Sequence, residues 1–114
     1  MSNALITRLK KQRELKVVVG KFTFTARRPT DVEMIEIGRG GANWHAMAER
    51  FVSGWENVTE DDIVGGGGSD KPDFTPELWA EWCADRPDFW QPIANALLDA
   101  YKAHAEQLKD TAGK

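Results

Sequence analysis

Near the start of the chain, apolar and polar positions fall in the manner of strands. Leu15-Lys16-Val17-Val18-Val19 is rich in β-branched residues, Gly20-Lys21 interrupts it, and Phe22-Thr23-Phe24-Thr25-Ala26-Arg27 alternates apolar with polar. That pattern predicts a β-hairpin whose two-residue turn begins at glycine. An isolated hairpin is not stable in water, so Phe22 and Phe24 are expected to press against helices. From Arg28 the period lengthens. Thr30 followed by Glu33 is the spacing of a capping box, with Met34, Ile35 and Ile37 inside the helix it opens. Gly38-Arg39-Gly40-Gly41 weakens that helix, since each glycine costs about 1 kcal/mol relative to alanine, and leaves a loop or a kink there.

A second helix is expected from about 42 to 53. Trp44, Met47, Ala48, Phe51, Val52 and Trp55 recur at intervals of three and four, which stacks them along one face. Gly54 is placed to end this helix as its C-cap, with Trp55 folding back onto the last turn. Thr75-Pro76-Glu77 then has the signature of another helix start, with Leu78, Trp79, Trp82 and Cys83 as its apolar stripe and Pro87 near its end. A last helix runs from Pro87 or Asp88 to Lys109, marked by Phe89, Ile93, Leu97, Tyr101, His104 and Leu108. Pro92 lies in its opening turns and is a candidate to delay its start, and the tail from Asp110 to Lys114 is expected to fray. Residues 4 to 13 form a short amphipathic helix capped by Asn3, with Leu5, Ile6 and Leu9 on one side and cations on the other.

Between the helical regions, Glu60-Asp61-Asp62 gives way to Gly65-Gly66-Gly67-Gly68-Ser69. By composition this is a flexible linker, natural or inserted, and disorder is expected there. The fold class that follows is mainly α: an N-terminal β-hairpin and then a bundle of about four helices carrying a flexible Gly-rich linker. At 114 residues the chain is one domain, large enough to bury about two thirds of its unfolded surface. It divides into a basic segment and hairpin (1–28), a helical part (30–55), an acidic and Gly-rich linker (56–73) and a helical pair (74–109).

Charge changes this picture more than composition does. Residues 1–28 carry eight basic side chains against the single acid Glu14, a balance of +7, while the remainder carries seven basic and seventeen acidic residues, a balance of −10, leaving −3 overall. Two ends of opposite sign favour self-assembly or docking on a charged partner, weakened by salt. Nucleic acid is a poorer fit to the basic end, because no aromatic platform or reading helix accompanies the cations. There is no apolar run of about eighteen residues and no apolar core of a secretory signal, so a cytosolic protein is expected, with no membrane partner.

The residues offer little reactive chemistry. Cys83, the single cysteine, reads as a small buried hydrophobe. His45 and His104 have no partner at metal-ligand spacing, the acids at 60–62 lack the alternate spacing of a calcium loop, and the glycines at 38–41 lack the Lys-Ser or Lys-Thr pair of a phosphate loop. No catalytic, cofactor or metal site is expected, and the chain reads as a non-enzyme. The informative residues are the aromatics. Rings at helical spacing usually pack inside their own domain. The same faces, Trp44, Phe51 and Trp55 or Trp79 and Trp82, are also the candidates to contact a partner.

Four segments in this order carry a family resemblance: the hairpin followed by Arg28-Pro29-Thr30-Asp31, the stretch Phe51-Val52-Ser53-Gly54-Trp55-Glu56-Asn57-Val58, the connector Asp61-Asp62-Ile63, and Phe74-Thr75-Pro76-Glu77-Leu78-Trp79. With the final helix they span almost the whole chain, which resembles the tail assembly chaperones of long-tailed bacteriophages and prophages. The glycine run departs from the family in length and composition. The resemblance implies a small, mainly helical, non-enzymatic protein of the host cytoplasm that coats the tape measure protein and hands over to the tail tube protein. It also implies a homo-oligomer, often accompanied by a longer frameshifted product, of which the short tail after Leu108 looks like the unextended form. It carries over no catalytic residue. The alternative from another class is a small DNA-binding or antitoxin-like regulator using the basic N-terminal segment.

Overall fold

A computed structural model describes residues 2–41 and 43–112. Its elements run α1 (Ser2–Gln12), β1 (Glu14–Val19), β2 (Phe22–Arg27), α2 (Asp31–Gly40), α3 (Trp44–Phe51), β3 (Val52–Glu56), α4 (Glu60–Ile63), α5 (Pro76–Cys83) and α6 (Pro87–Ala112). The protein is mainly helical, and three antiparallel strands in the order β1-β2-β3 form its sheet. The expected hairpin is present. Val19 pairs with Phe22 across Gly20-Lys21, and Gly20 has φ +60, the positive value that the first turn residue of a tight hairpin requires.

The third strand corrects the expected helix end. Helix α3 stops at Phe51, and Val52–Glu56 pairs with β2 instead of capping the helix through Gly54. Ala26 opposes Val52 and Thr25 opposes Gly54, so Ser53 is an extra residue, a β-bulge. The bulge puts Val52 and Trp55, three apart, on the same side of the strand, where Trp55 opposes the buried Phe24. A spacing of three inside a bulged strand therefore reads like a turn of helix. Gly54 lies over Thr25, where a Cβ would meet Thr25 Cβ at an ordinary contact distance of 3.6 Å.

Helices α3, α5 and α6 lie on one face of this sheet, giving two layers in place of the expected four-helix bundle. Their shared core joins Val17, Phe24, Ala26 and Val52 of the sheet to Met47, Phe51, Trp79, Trp82, Phe89, Ile93 and Leu97 of the helices. Phe22 and Phe24 meet Trp82 and Phe89 at ring-centroid distances between 4.9 and 6.4 Å, counting the Trp82–Phe89 pair itself. Indole N–H groups fasten the helices to one another. Trp79 donates to Ala48 O at 3.0 Å, in the last turn of α3, and Trp90 donates to Cys83 O at the end of α5.

Helix α2 starts with the expected capping box: Glu33 N–H donates to Thr30 Oγ1 at 3.1 Å and Thr30 N–H to Glu33 Oε1 at 2.9 Å. It runs through Gly38 to Gly40, and Gly41 at φ +76 is its C-cap, so the glycines do not break it before that point. The expected start of the next helix at residue 42 lies outside the described residues. Helix α6 begins at Pro87 and continues through Pro92, so that proline does not delay it. It remains helical to Ala112, and the last two residues of the tail lie outside the description.

The glycine-rich stretch is an ordered turn, which corrects the expected disorder. Glu60 N–H donates to Asp70 O at 2.8 Å, Asp61 N–H to Gly68 O at 2.9 Å, and Gly66 N–H to Asp61 Oδ1 at 2.6 Å. Gly66 and Gly68 take φ +87 and +102, and a Cβ on Gly67 would lie 2.9 Å from the carbonyl oxygens of Glu60 and Val64. Three of the four glycines thus answer to backbone geometry. The extents of 57 × 36 × 22 Å and a radius of gyration of 15.9 Å exceed the roughly 13 Å of a compact chain this long. Part of the excess is two arms, α1 and the end of α6, whose residues are largely exposed. No helix among the described residues is long and apolar enough to cross a membrane.

Candidate functional site

The five aromatics singled out from the sequence separate into core and surface. Trp79 and Phe51 are fully buried, and Trp82 is 7% exposed. Phe51 is roofed by two guanidinium groups, Arg27 at 4.8 Å and Arg50 at 5.2 Å from its ring centroid. These three have no face to offer a partner in this conformation, and their helical spacing served packing. Trp55 is half-buried: its N–H donates to Pro72 O at 3.1 Å, and its ring meets Phe74 edge-on at 5.0 Å. It borders an open cleft of about 450 Å³ with Glu56, Asn57, Lys71 and Asp73. Trp44 stands apart from the others, being 43% exposed.

Trp44 stands at the edge of an apolar groove. Met34 and Ile37 of α2, Met47 of α3 and Leu98 of α6 line a hollow of about 110 Å³ beside it. A second hollow of about 120 Å³, sharing Ile37, Asn43 and Met47, continues along α2 to Arg50 and Phe51. The wall formed by α2 has no fully buried residue, and its outer face exposes Val32 and Ile35. Few buried apolar contacts and two internal glycines make it the less stable wall of the groove.

What holds α2 is mostly polar. Arg27 donates to both Glu33 oxygens at 2.8 Å, and Arg50 donates to Glu33 at 3.2 Å and Glu36 at 3.4 Å. The Arg27 hydrogen bonds hold the Glu33 carboxyl down at about 2, against the opposing effect of burial. At the helix start, Tyr101 donates its hydroxyl to Asp31 Oδ1 at 2.6 Å, and Arg28 Nη2 donates to His104 Nδ1 at 3.1 Å. Because the guanidinium must donate, His104 Nδ1 accepts, and Nε2 faces Asp31 Oδ2 at 3.4 Å. The Tyr101 hydroxyl first, then His104, lowers the Asp31 carboxyl below its ordinary value. Sequence reasoning missed this tie of α2 to α6; the only signal was a polar pair, Tyr101 and His104, on an otherwise apolar stripe.

Comparison with protein-family models, curated proteins and solved structures finds no match to the chain. The site must therefore be read from its own groups. Burial and then Glu49 push the Cys83 thiol up to about 11, leaving it protonated and unreactive at neutral pH. His45 packs on the Trp90 ring at 4.9 Å, with Nε2 facing Glu49 Oε2 at 3.4 Å. Among the described residues no group of three or more His, Cys, Asp or Glu gathers that could hold a metal ion. What this arrangement can do is present apolar side chains in a groove with charged groups at its border.

Proposed function

We propose that the chain is a tail assembly chaperone of a long-tailed phage or prophage, which holds apolar helical segments of the tape measure protein in the host cytoplasm before the tail tube protein polymerises around them. The observation that carries this reading is the groove between α2 and α3, with Trp44 exposed at its edge and Met34, Ile37, Met47 and Leu98 along its length. A helix laid in such a groove contributes side chains at intervals of three and four, and an exposed tryptophan is a strong anchor for them. The lightly packed α2 gives way to admit larger side chains, and the surrounding charge keeps the complex dispersed. The resemblance stated above supplies the identity of the partner.

Co-expression with a candidate tape measure protein tests the reading. The partner should move into the soluble fraction with the wild-type chain and return to the pellet with Trp44→Ala or Ile37→Ser. A tape measure protein equally soluble with the wild-type chain, with either variant and alone overturns it. One observation favours the regulator alternative: among the described residues, Arg8, Lys10, Lys11 and Arg13 form no ion pair. A regulator would bind duplex DNA with a steep salt slope through these cations.

A further inference from the structure

The α1 arm and the C-terminal part of α6 flank a cleft of about 660 Å³, which shares no lining residue with the groove at Trp44. Leu9 and Leu15 on one side face Ala100 and Ala103 on the other, and Arg13 and Arg28 border it. Leu5, Ile6 and Leu9 of α1 are 62%, 47% and 52% exposed, so the apolar stripe that gives this helix its amphipathic character covers nothing. Such a helix, one that would be marginal alone, is short of a partner for its stripe. Its charges lack one as well. Arg8, Lys10, Lys11 and Arg13 form no ion pair among the described residues, and desolvation, then the nearby positive charge of Arg13, pulls the Arg28 guanidinium below its ordinary value. Against them the cleft has the single carboxylate Glu14.

From these observations we infer that the cleft between α1 and the C-terminal part of α6 is a docking surface for an acidic amphipathic helix of another protein. The occupant lays its apolar stripe on Leu5, Leu9 and the small residues Ala100 and Ala103, which permit close approach, and sets carboxylates against Arg13 and the α1 cations. The eleven residues of α1 span about 16 Å, so an occupant of three to four turns matches it. Charge complementarity decides the class. Duplex DNA would satisfy the cations and leave the leucines wet. A second copy of the chain has no free acidic helix of this length: α2 exposes Val32 and Ile35, but its Asp31 is engaged by Tyr101, its Glu33 by Arg27 and its Glu36 by Arg50; α4 has four residues, α5 is packed on the core, and the exposed end of α6 mixes Lys102 and Lys109 with Glu106 and Asp110.

The probe is a labelled sixteen-residue helical peptide, designed with leucines at intervals of three and four flanked by glutamates, titrated by fluorescence anisotropy against the full chain. A second peptide replaces every glutamate by lysine, and a duplex DNA serves as competitor. The glutamate peptide should bind at least about tenfold more tightly than the lysine peptide and weaken as salt rises. Leu5→Gln with Leu9→Gln, which keeps helix propensity, and separately Arg13→Glu, should each lower its affinity about tenfold or more, with far-UV circular dichroism and the melting temperature unchanged because these side chains lie outside the core. Trp44→Ala should leave the affinity as it was, so this surface and the groove fail or stand separately. Equal affinity for the two peptides, insensitivity to both the leucine and the Arg13 variants, displacement of the peptide by duplex DNA, or a dimer held together through Leu5 and Leu9 would each overturn the proposal.

Discussion

Replacing Trp79 by phenylalanine removes one hydrogen bond and one edge of a ring from the middle of the core. Trp79 is inaccessible to solvent; its N–H donates to Ala48 O at 3.0 Å, and its ring lies 5.0 Å from Phe24 and 6.0 Å from Phe89. Phenylalanine keeps most of those ring contacts and none of the donor. Leaving a carbonyl short of a partner where water does not reach costs about 1–3 kcal/mol. The void left by the smaller ring adds about 1 kcal/mol. The expected loss is therefore about 2–4 kcal/mol, a large share of the stability of a domain this size. Urea unfolding followed by far-UV circular dichroism should show a lower midpoint with the slope unchanged. A loss below about 1 kcal/mol would mean that the indole does not fasten α5 to the end of α3, and the account of how the helical layer is held together would be wrong.

Three further outcomes follow from the same contacts. Gly67→Ala forces a Cβ to within 2.9 Å of two carbonyl oxygens, so it should open the turn after α4 and make it a site of limited proteolysis, at a cost of about 1–3 kcal/mol read from urea midpoints. The Glu33 carboxyl is depressed to about 2 in the folded protein, so its contribution is complete above its ordinary value near 4.5 and is lost as pH falls toward 2. Midpoints measured across that window should fall for the wild-type chain and fall less for Glu33→Gln. Trp44→Ala should lower stability by less than about 1 kcal/mol, because the side chain is half in water, while reducing recovery of soluble tape measure protein; a large loss of stability would return Trp44 to the core.

Local chemistry was legible wherever neighbouring residues decide the outcome. The Gly20 turn, the Thr30–Glu33 capping box and the Thr75-Pro76 helix start are all contacts within a few residues, and each appears as its side chains dictate. The stretch from Val52 to Glu56 was not legible, because its conformation is set by β2, and the bulge at Ser53 disguised a strand as a continuation of α3. The glycine run misled for the opposite reason. Glycine marks both flexible chain and tight turns, and the hydrogen bonds that distinguish them come from Glu60, Asp61 and Asp70 on either side. At the candidate site, the sequence named the right residue type without its environment. Periodicity puts Trp44, Phe51 and Trp79 on helical faces, but only the packing of α5 and α6 determines which of those faces is covered.

The place of β3 in the sheet has a consequence for the chain as it is synthesised. The hairpin emerges directly after α1, and β2 has no neighbour on its far side until Glu56 has left the ribosome, after all of α2 and α3. During that interval a nascent chain presents a bare row of amide and carbonyl groups beside Phe24, a template on which two unfinished copies can pair. A ribosomal pause before Val52 would prolong that exposure, and one after Glu56 would let the native strand occupy the edge first.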